Sequence, residues 1–348
     1  MKHILKACIP FTLLLSILIS SQAIPVTPAI AAEPAVNEDW TRFPLIAHAL
    51  GGIDGVDYTN SLEAFQTNYD KGQRLFEVDF SITKDGLLAA RHDWMGYLAT
   101  KFEQDIPANK LEEPLTLKEF KSYKILENYT PLSFADVARL SKKYPDVYFI
   151  TDTKETDPEL VKQQFTTIRD IANRVDPTIL DRFIPEIYSP EMLDIVREII
   201  PFKHVIFSLY LTSMEPAEVV QYVKEHDVHV VAMPEERATK SFIKDLNDIG
   251  VVTYVHSLNK VKDVKKLMRM GVHGVYTDFL SYKDLGIDEA PLIAAGQTDA
   301  ENSAANLATQ DPSLATASAD TVTGQSTVAP APTTWEKIKL LLGQLFNN

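Results

Sequence analysis

The chain has 348 residues, with 34 Lys and Arg against 48 Asp and Glu, a formal net charge of -14, and 45% hydrophobic residues. That is enough apolar material for one large domain or two small ones, and the acidic balance excludes the broad basic footprint that holds nucleic acid. The single cysteine, Cys8, excludes a disulfide within the chain, so a hydrophobic core must hold the fold.

Lys2 and Lys6 precede an apolar run over 9–19 that is too short to cross a bilayer comfortably, and Ser21-Gln22-Ala23 supplies small residues for cleavage. The pattern predicts a secretory signal over 1–23, with cleavage after Ala23 or further on near Ala32. It therefore predicts a secreted or cell-envelope protein. Losing the leader would remove two lysines, no acid and the only cysteine.

Strand-like β-branched and aromatic runs then recur at 45–48, 75–80, 147–152, 183–188, 204–209, 228–233, 251–256 and 274–277. Amphipathic helical patterns separate them. Asn60 with Glu63 three residues on reads as a cap for a helix whose Leu62, Phe65 and Tyr69 share a face and which Gly72 ends. Pro216 suits a first turn ahead of Val219, Val220 and Val223. Val261, Val264, Leu267 and Met268 repeat the pattern before Gly271. Strand and helix alternating over about 250 residues predicts an α/β fold, a (β/α)8 TIM barrel spanning 40–289.

One segment, 87–91, follows the second strand too closely for a parallel crossover. It predicts a β-hairpin inserted after that strand, turning between Lys84 and Asp85 and bringing His92 beside Glu77. Beyond the barrel, 290–334 is rich in Ala, Thr, Ser and Gln and predicts a disordered tail. Trp335, Ile338, Leu341, Leu342, Leu345 and Phe346 then predict a short amphipathic helix over 335–348 that docks on the body or touches a membrane surface or a partner.

Glu77 and Asp79, two apart on a strand, aim two carboxylates at one face. Asp152, ending the next parallel strand, offers a third oxygen. Acids so grouped need a cation or a proton, and all-oxygen ligands suit Ca²⁺ or Mg²⁺, with Mn²⁺ also compatible. The structural alternative is solvated strand-end charges paired with Lys or Arg. His48 and His92 end the first strand and the hairpin arm at the same rim, where one could take a proton while the other gives one. Lys154, on the same side as Asp152 if the extended conformation persists, offers charge to a phosphate oxygen. Trp94 could wall the site against a glycerol or lipid moiety, or equally pack within the hairpin. The end of 183–188, with Tyr188, and His256 are better read as core. Asp278 reads as tying down the loop after the last strand, and His204, His226, His229 and His273 as structural or surface residues.

These residues resemble a known family. His48-Ala49-Leu50-Gly51, Thr59-Asn60-Ser61-Leu62-Glu63, Phe76-Glu77-Val78-Asp79, Thr83-Lys84-Asp85-Gly86, His92-Asp93, Thr151-Asp152-Thr153-Lys154 and the run 271–278 look like the ordered landmarks of bacterial glycerophosphodiester phosphodiesterases, members of the phospholipase C-like phosphodiesterase barrels. The resemblance implies a metal at Glu77, Asp79 and Asp152, and His48 with His92 as the acid/base pair. It departs at three places: Ala49 where arginine is usual, Thr59 where glutamate is usual, and Asp152 where the third carboxylate is usually Glu. A phosphate contact would then be missing or fall to Lys154 or Arg91. The implied function is exported, metal-dependent hydrolysis of glycerophosphodiesters or related phospholipid head groups. The alternatives are a phospholipase acting on intact membrane lipids and a barrel that binds a phosphorylated ligand without turnover.

Overall fold

The computed structural model describes residues 39–294, and among these, eight parallel strands close into a barrel with helices between them. In chain order come β1 (Leu45–Ala47), α1 (Leu62–Asp70), β2 (Leu75–Ile82), β3 (Leu88–Ala90), α2 (Gly96–Lys101), α3 (Leu117–Ser122), α4 (Phe134–Lys143), β4 (Tyr148–Asp152) and α5 (Pro158–Val175). Then follow β5 (Phe183–Ile187), α6 (Pro190–Ile199), β6 (Ile206–Ser208), α7 (Pro216–Glu225), β7 (Val230–Pro234), α8 (Lys240–Asp248), β8 (Val252–His256), α9 (Val261–Arg269), β9 (Gly274–Thr277) and α10 (Tyr282–Leu285). The ring runs β1-β2-β4-β5-β6-β7-β8-β9 and returns to β1. The predicted (β/α)8 barrel is what the chain forms.

The strands are buried on both faces, as parallel strands covered by helices must be, and β1, β5 and β9 have no exposed residue. The helices start where the sequence supplies donors' partners and fixed φ. Prolines open α5, α6 and α7, and Ser133 with Asp136 forms a capping box at α4. At α1 the cap is Ser61, whose hydroxyl accepts from Ala64 N–H. Asn60, predicted as that cap, is left free for the site below.

A plug closes the amino-terminal mouth. Trp40 is fully buried and stacks on Tyr254 at 6.0 Å, while Tyr254 donates to the Phe43 carbonyl and His273 Nε2–H to the Thr41 carbonyl. The seam where β9 meets β1 is equally tight. A Cβ on Gly274 would sit 2.3 Å from the Pro44 carbonyl oxygen and 2.7 Å from the Tyr254 ring. Gly274→Ala is therefore expected to cost about 1–3 kcal/mol in urea unfolding, because overpacking at a rigid seam has no soft neighbour to displace.

The hairpin forms as expected, but its register is centred on Asp85: Phe80 pairs with Ala90, Ser81 with Ala89 and Ile82 with Leu88. The turn has three residues rather than an even number, because Gly86 adopts φ +75, the Thr83 N–H donates to the Leu87 carbonyl and the Leu87 N–H donates to the Thr83 hydroxyl. His92 accordingly does not stand directly opposite Glu77. The segment between β3 and α4 builds a small lobe with its own apolar clusters, one around Trp94, Leu115 and Phe120 and another around Leu98, Phe102 and Ile125. At the other end the ordered body outlasts the predicted boundary at 289: residues 290–294 are helical, and Leu292 packs on the core. The predicted leader over 1–23, the rest of the tail to 334 and the helix over 335–348 lie outside the described residues.

Candidate active site

Parallel register assembles the acids. Asp79 on β2 lies beside Asp152 on β4, Glu77 lies two residues earlier on the same face, and one oxygen from each falls within 4.8 Å of the others. All three are buried. Lys154 places its ammonium between Asp79 and Asp152 and bonds both. It does so from a left-handed backbone, φ +50, with its N–H on Asp152 Oδ1 at 3.1 Å, rather than by continuing the strand. Asn60 grips Asp79 from both sides, its Nδ2 donating to Oδ2 at 2.8 Å and its Oδ1 accepting from the Asp79 N–H at 3.1 Å. Tyr188 donates to Asp152, and Tyr276 to Glu186 at 2.5 Å.

The loop after β1 is bent hard to serve this cluster. Ala49, Leu50, Tyr58 and Asn60 all have positive φ, an uncommon conformation for side-chain-bearing residues and one that concentrates at functional sites. The bend delivers the Ala49 N–H to Glu77 Oε2 at 2.6 Å. Ala47 pairs with Thr277, so His48 and Asp278 leave adjacent strands together and His48 Nδ1 meets Asp278 Oδ1 at 2.8 Å. Asn259 holds the other Asp278 oxygen at 2.6 Å. His92 is anchored in the same way, Nδ1 to Asp93 Oδ2 at 2.6 Å. Since a carboxylate only accepts, both imidazoles carry Nδ1–H and turn Nε2 to the reaction space.

Charge and burial compete at each group. Burial pulls His48 down, but the hydrogen bond to Asp278 and the charges of Glu77, Asp278 and Asp79 outweigh it and hold the imidazole up at about 9. Burial, then Asp79, pushes Glu77 well above the usual carboxylate range. Asp79 is opposed by burial yet held low by Lys154, His92 and His48. Burial lowers Lys154, but Asp152, Asp79 and Glu77 raise it further. Glu186 is raised to about 7 by burial and Asp152. His256, third histidine of the rim, is lowered to about 4 by burial and the His48 charge, and its Nε2 has no partner among the described residues.

The acids fit a divalent cation by donor chemistry, three hard carboxylates in one place. A second observation agrees: Glu77 Oε1 is buried with no hydrogen-bond partner among the described residues.

The structure thus brings together His48, His92, Glu77, Asp79, Asp152 and Lys154. It does not bring Arg91 or Trp94 to them. The Arg91 guanidinium donates to the Asp93 carbonyl at 2.7 Å and to Gln104 at 3.1 Å. The Trp94 indole donates to the Ile82 carbonyl and packs on Phe120. Both side chains are committed to holding the lobe. Sequence reasoning missed Asn60, Tyr58 and Asp93 as site residues and reduced Asp278 to a loop tie. Asp278 was within reach, because barrel closure puts the ends of the first and last strands side by side. Tyr188 is buried as expected and also serves Asp152. His226 and His273 bond backbone carbonyls and His229 pairs with Asp227.

A closed (β/α)8 barrel with two carboxylate-anchored histidines above an acid triad at its carboxyl rim is the framework of a barrel hydrolase. The model of the "Glycerophosphoryl diester phosphodiesterase family" matches residues 52–281, and the chain belongs to that family. It is a phosphoric diester hydrolase of a family that depends on a divalent metal, and its triad could hold one. The glycerophosphodiester phosphodiesterase of Bacillus subtilis is 22% identical over 269 residues, 73% of this chain and 89% of that protein. Among solved structures, a glycerophosphodiester phosphodiesterase from Parabacteroides distasonis is similar at TM-score 0.54 and 16% identity, covering 75% of this chain and 98% of that one. A phosphodiesterase from Oleispira antarctica, in complex with its product sn-glycerol-3-phosphate, gives TM-score 0.56 and 16% identity over 69% of this chain and 95% of that one. At these identities the structures attest the fold.

Proposed function

We propose that this is an exported, divalent-cation-dependent phosphodiesterase that hydrolyses glycerophosphodiesters, with His48 and His92 as its acid/base pair. The observation that carries the reading is the matched anchoring of the two imidazoles, each on its own aspartate, beside a triad that has an unpartnered carboxylate oxygen. A cation bound there, Ca²⁺ or Mg²⁺ by donor hardness, would neutralise the non-bridging oxygens of the diester. The chain's own groups do the rest. Asp278 and Asp93 fix the tautomer and aim of each Nε2, so that one histidine takes the proton of the attacking hydroxyl while the other protonates the departing alkoxide. Lys154 supplies positive charge beside the phosphoryl group. Export rests on the leader over 1–23 and places the enzyme outside the cytoplasm, secreted or in the envelope.

The test is release of alcohol by the mature chain from a panel of glycerophosphodiesters, first with chelator and then with Ca²⁺, Mg²⁺ or Mn²⁺ restored. Turnover is expected to fall at least a hundredfold with chelator and return with the metal. Chelator-resistant turnover would overturn the metal dependence.

A specific observation favours a second reading, in which the diester belongs to an intact membrane lipid. The exposed large apolar side chains among the described residues are Tyr97, Leu111, Tyr210, Leu211 and Phe279. Tyr97 and Leu111 are on the lobe, and the other three follow β6 and β9 at the catalytic rim. Cleavage of vesicle phospholipids that falls when Tyr210, Leu211 and Phe279 become serine, with soluble-diester hydrolysis unchanged, would support it.

A further inference from the structure

The loop after β1 carries a tyrosine whose hydroxyl has no duty in the fold. Tyr58 is half-buried, and its ring stands edge-on to both histidines, 4.8 Å from His48 at 82° and 5.1 Å from His92 at 86°. Its backbone is held at φ +62, which a bulky side chain avoids without a compensating demand. The ring is fixed from behind. It packs with Leu98, Phe102 and Ile125 of the lobe, and Lys101, itself paired with Asp57, lies 5.1 Å from its centroid.

Three other tyrosine hydroxyls at this rim are all bonded: Tyr188 to Asp152, Tyr276 to Glu186 and Tyr97 to Asp93. The Tyr58 hydroxyl makes no hydrogen bond among the described residues. Burial and the charge of Asp79 keep it protonated far above neutral pH, against an opposing pull from Lys154 and with Asp278 and Glu77 adding to the effect. It is therefore an unspent donor in front of the acids. The nearby cations are already engaged: Lys154 by Asp79 and Asp152, Arg91 by Asp93 and Gln104, Lys101 by Asp57.

A phosphodiester anion entering between the two histidines faces four carboxylates, Glu77, Asp79, Asp152 and Asp278. It needs hydrogen-bond donors on its non-bridging oxygens, and a fixed neutral donor loses nothing to reorganisation when charge builds there. We propose that the Tyr58 hydroxyl donates a hydrogen bond to a non-bridging oxygen of the substrate phosphoryl group. This rests on the phosphodiesterase reading. It makes Tyr58 a catalytic residue rather than a spacer between two imidazoles.

Tyr58→Phe in the full chain separates the two roles, because it keeps the ring and removes only the hydroxyl. Its kcat on a glycerophosphodiester is expected to fall about 10- to 100-fold with KM changed less. A pair of phosphorothioate diastereomers supplies a readout that packing alone would not move. Sulfur accepts hydrogen bonds poorly, so the wild type should prefer the diastereomer that keeps oxygen at the Tyr58 position, and Tyr58→Phe should narrow that preference. Wild-type rate and wild-type diastereomer preference in Tyr58→Phe would overturn the proposal. If the wild type itself cleaved no diester, the parent reading would fail separately, and calorimetric binding of sn-glycerol-3-phosphate would still decide about Tyr58: a several-fold weaker Kd in Tyr58→Phe supports the contact, and an equal Kd or no binding to the wild type rejects it.

Discussion

Alanine at His48 or at His92 is expected to lower kcat for diester hydrolysis by about 10²- to 10⁴-fold each, with the barrel still folded. The structure explains why the fold itself survives. His48 lies beyond the end of β1, and removing it leaves Asp278 held by Asn259, whose Nδ2 donates to the Asp278 carboxylate and whose Oδ1 accepts from the Asp278 N–H. The two substitutions should be far from additive, since both disable one proton relay.

His48→Ala also has a pH signature in the metal-free protein. The folded imidazole is held at about 9 against an ordinary value of 6.5. A folded pKa raised above the unfolded one means the folded state binds the proton more tightly. The stabilisation is full below about 6.5 and is lost as pH rises through about 9, and it amounts to about 3 kcal/mol. The gap between wild type and His48→Ala in urea unfolding should therefore be widest near pH 6 and shrink by about that amount by pH 10. A gap independent of pH would show that the aspartate and the acid triad do not hold the His48 proton.

What could be read in the sequence followed from geometry that is local and regular. Period-two alternation put Glu77 and Asp79 on one face, and strand ends put His48, His92 and Asp152 at one rim. The hairpin was legible because no crossover fits in so few residues. Its register was not, since one residue of turn length depends on Gly86 taking a left-handed conformation. The same limit explains Asn60. Asn, Ser and Thr at adjacent positions all cap helices well, and spacing cannot show that Ser61 takes the cap while Asn60, at φ +46, swings back to Asp79. Arg91 and Trp94 sit beside the right motif but point into the lobe, and only tertiary packing shows where a long side chain goes. Tyr58 was invisible for a related reason: five side-chain-bearing residues at positive φ in one loop leave no periodic trace, yet they decide which side chains meet.

Lys154 is expected to govern the stability of the metal-free enzyme. Its ammonium is the counter-ion of Asp79 and Asp152, and Glu77 adds a third buried acid. Removing one partner of a buried charge group leaves the others uncompensated, at a cost of about 3–5 kcal/mol. Lys154→Met should therefore unfold at markedly lower temperature without metal. The acids will offset part of the loss by taking up protons, so the deficit should be smaller at pH 5 than at pH 8. Divalent metal should then restore the variant and raise its Tm by more than that of the wild type, because in the wild type an ion must compete with the ammonium for the same two carboxylates. Restored stability should not restore turnover, since the phosphoryl group would still lack the Lys154 charge. Calorimetry with and without Ca²⁺ or Mg²⁺, beside a diesterase assay, reads all of this at once. A metal-free variant as stable as the wild type, or one that metal leaves unchanged, would mean that the three acids are not a cation site.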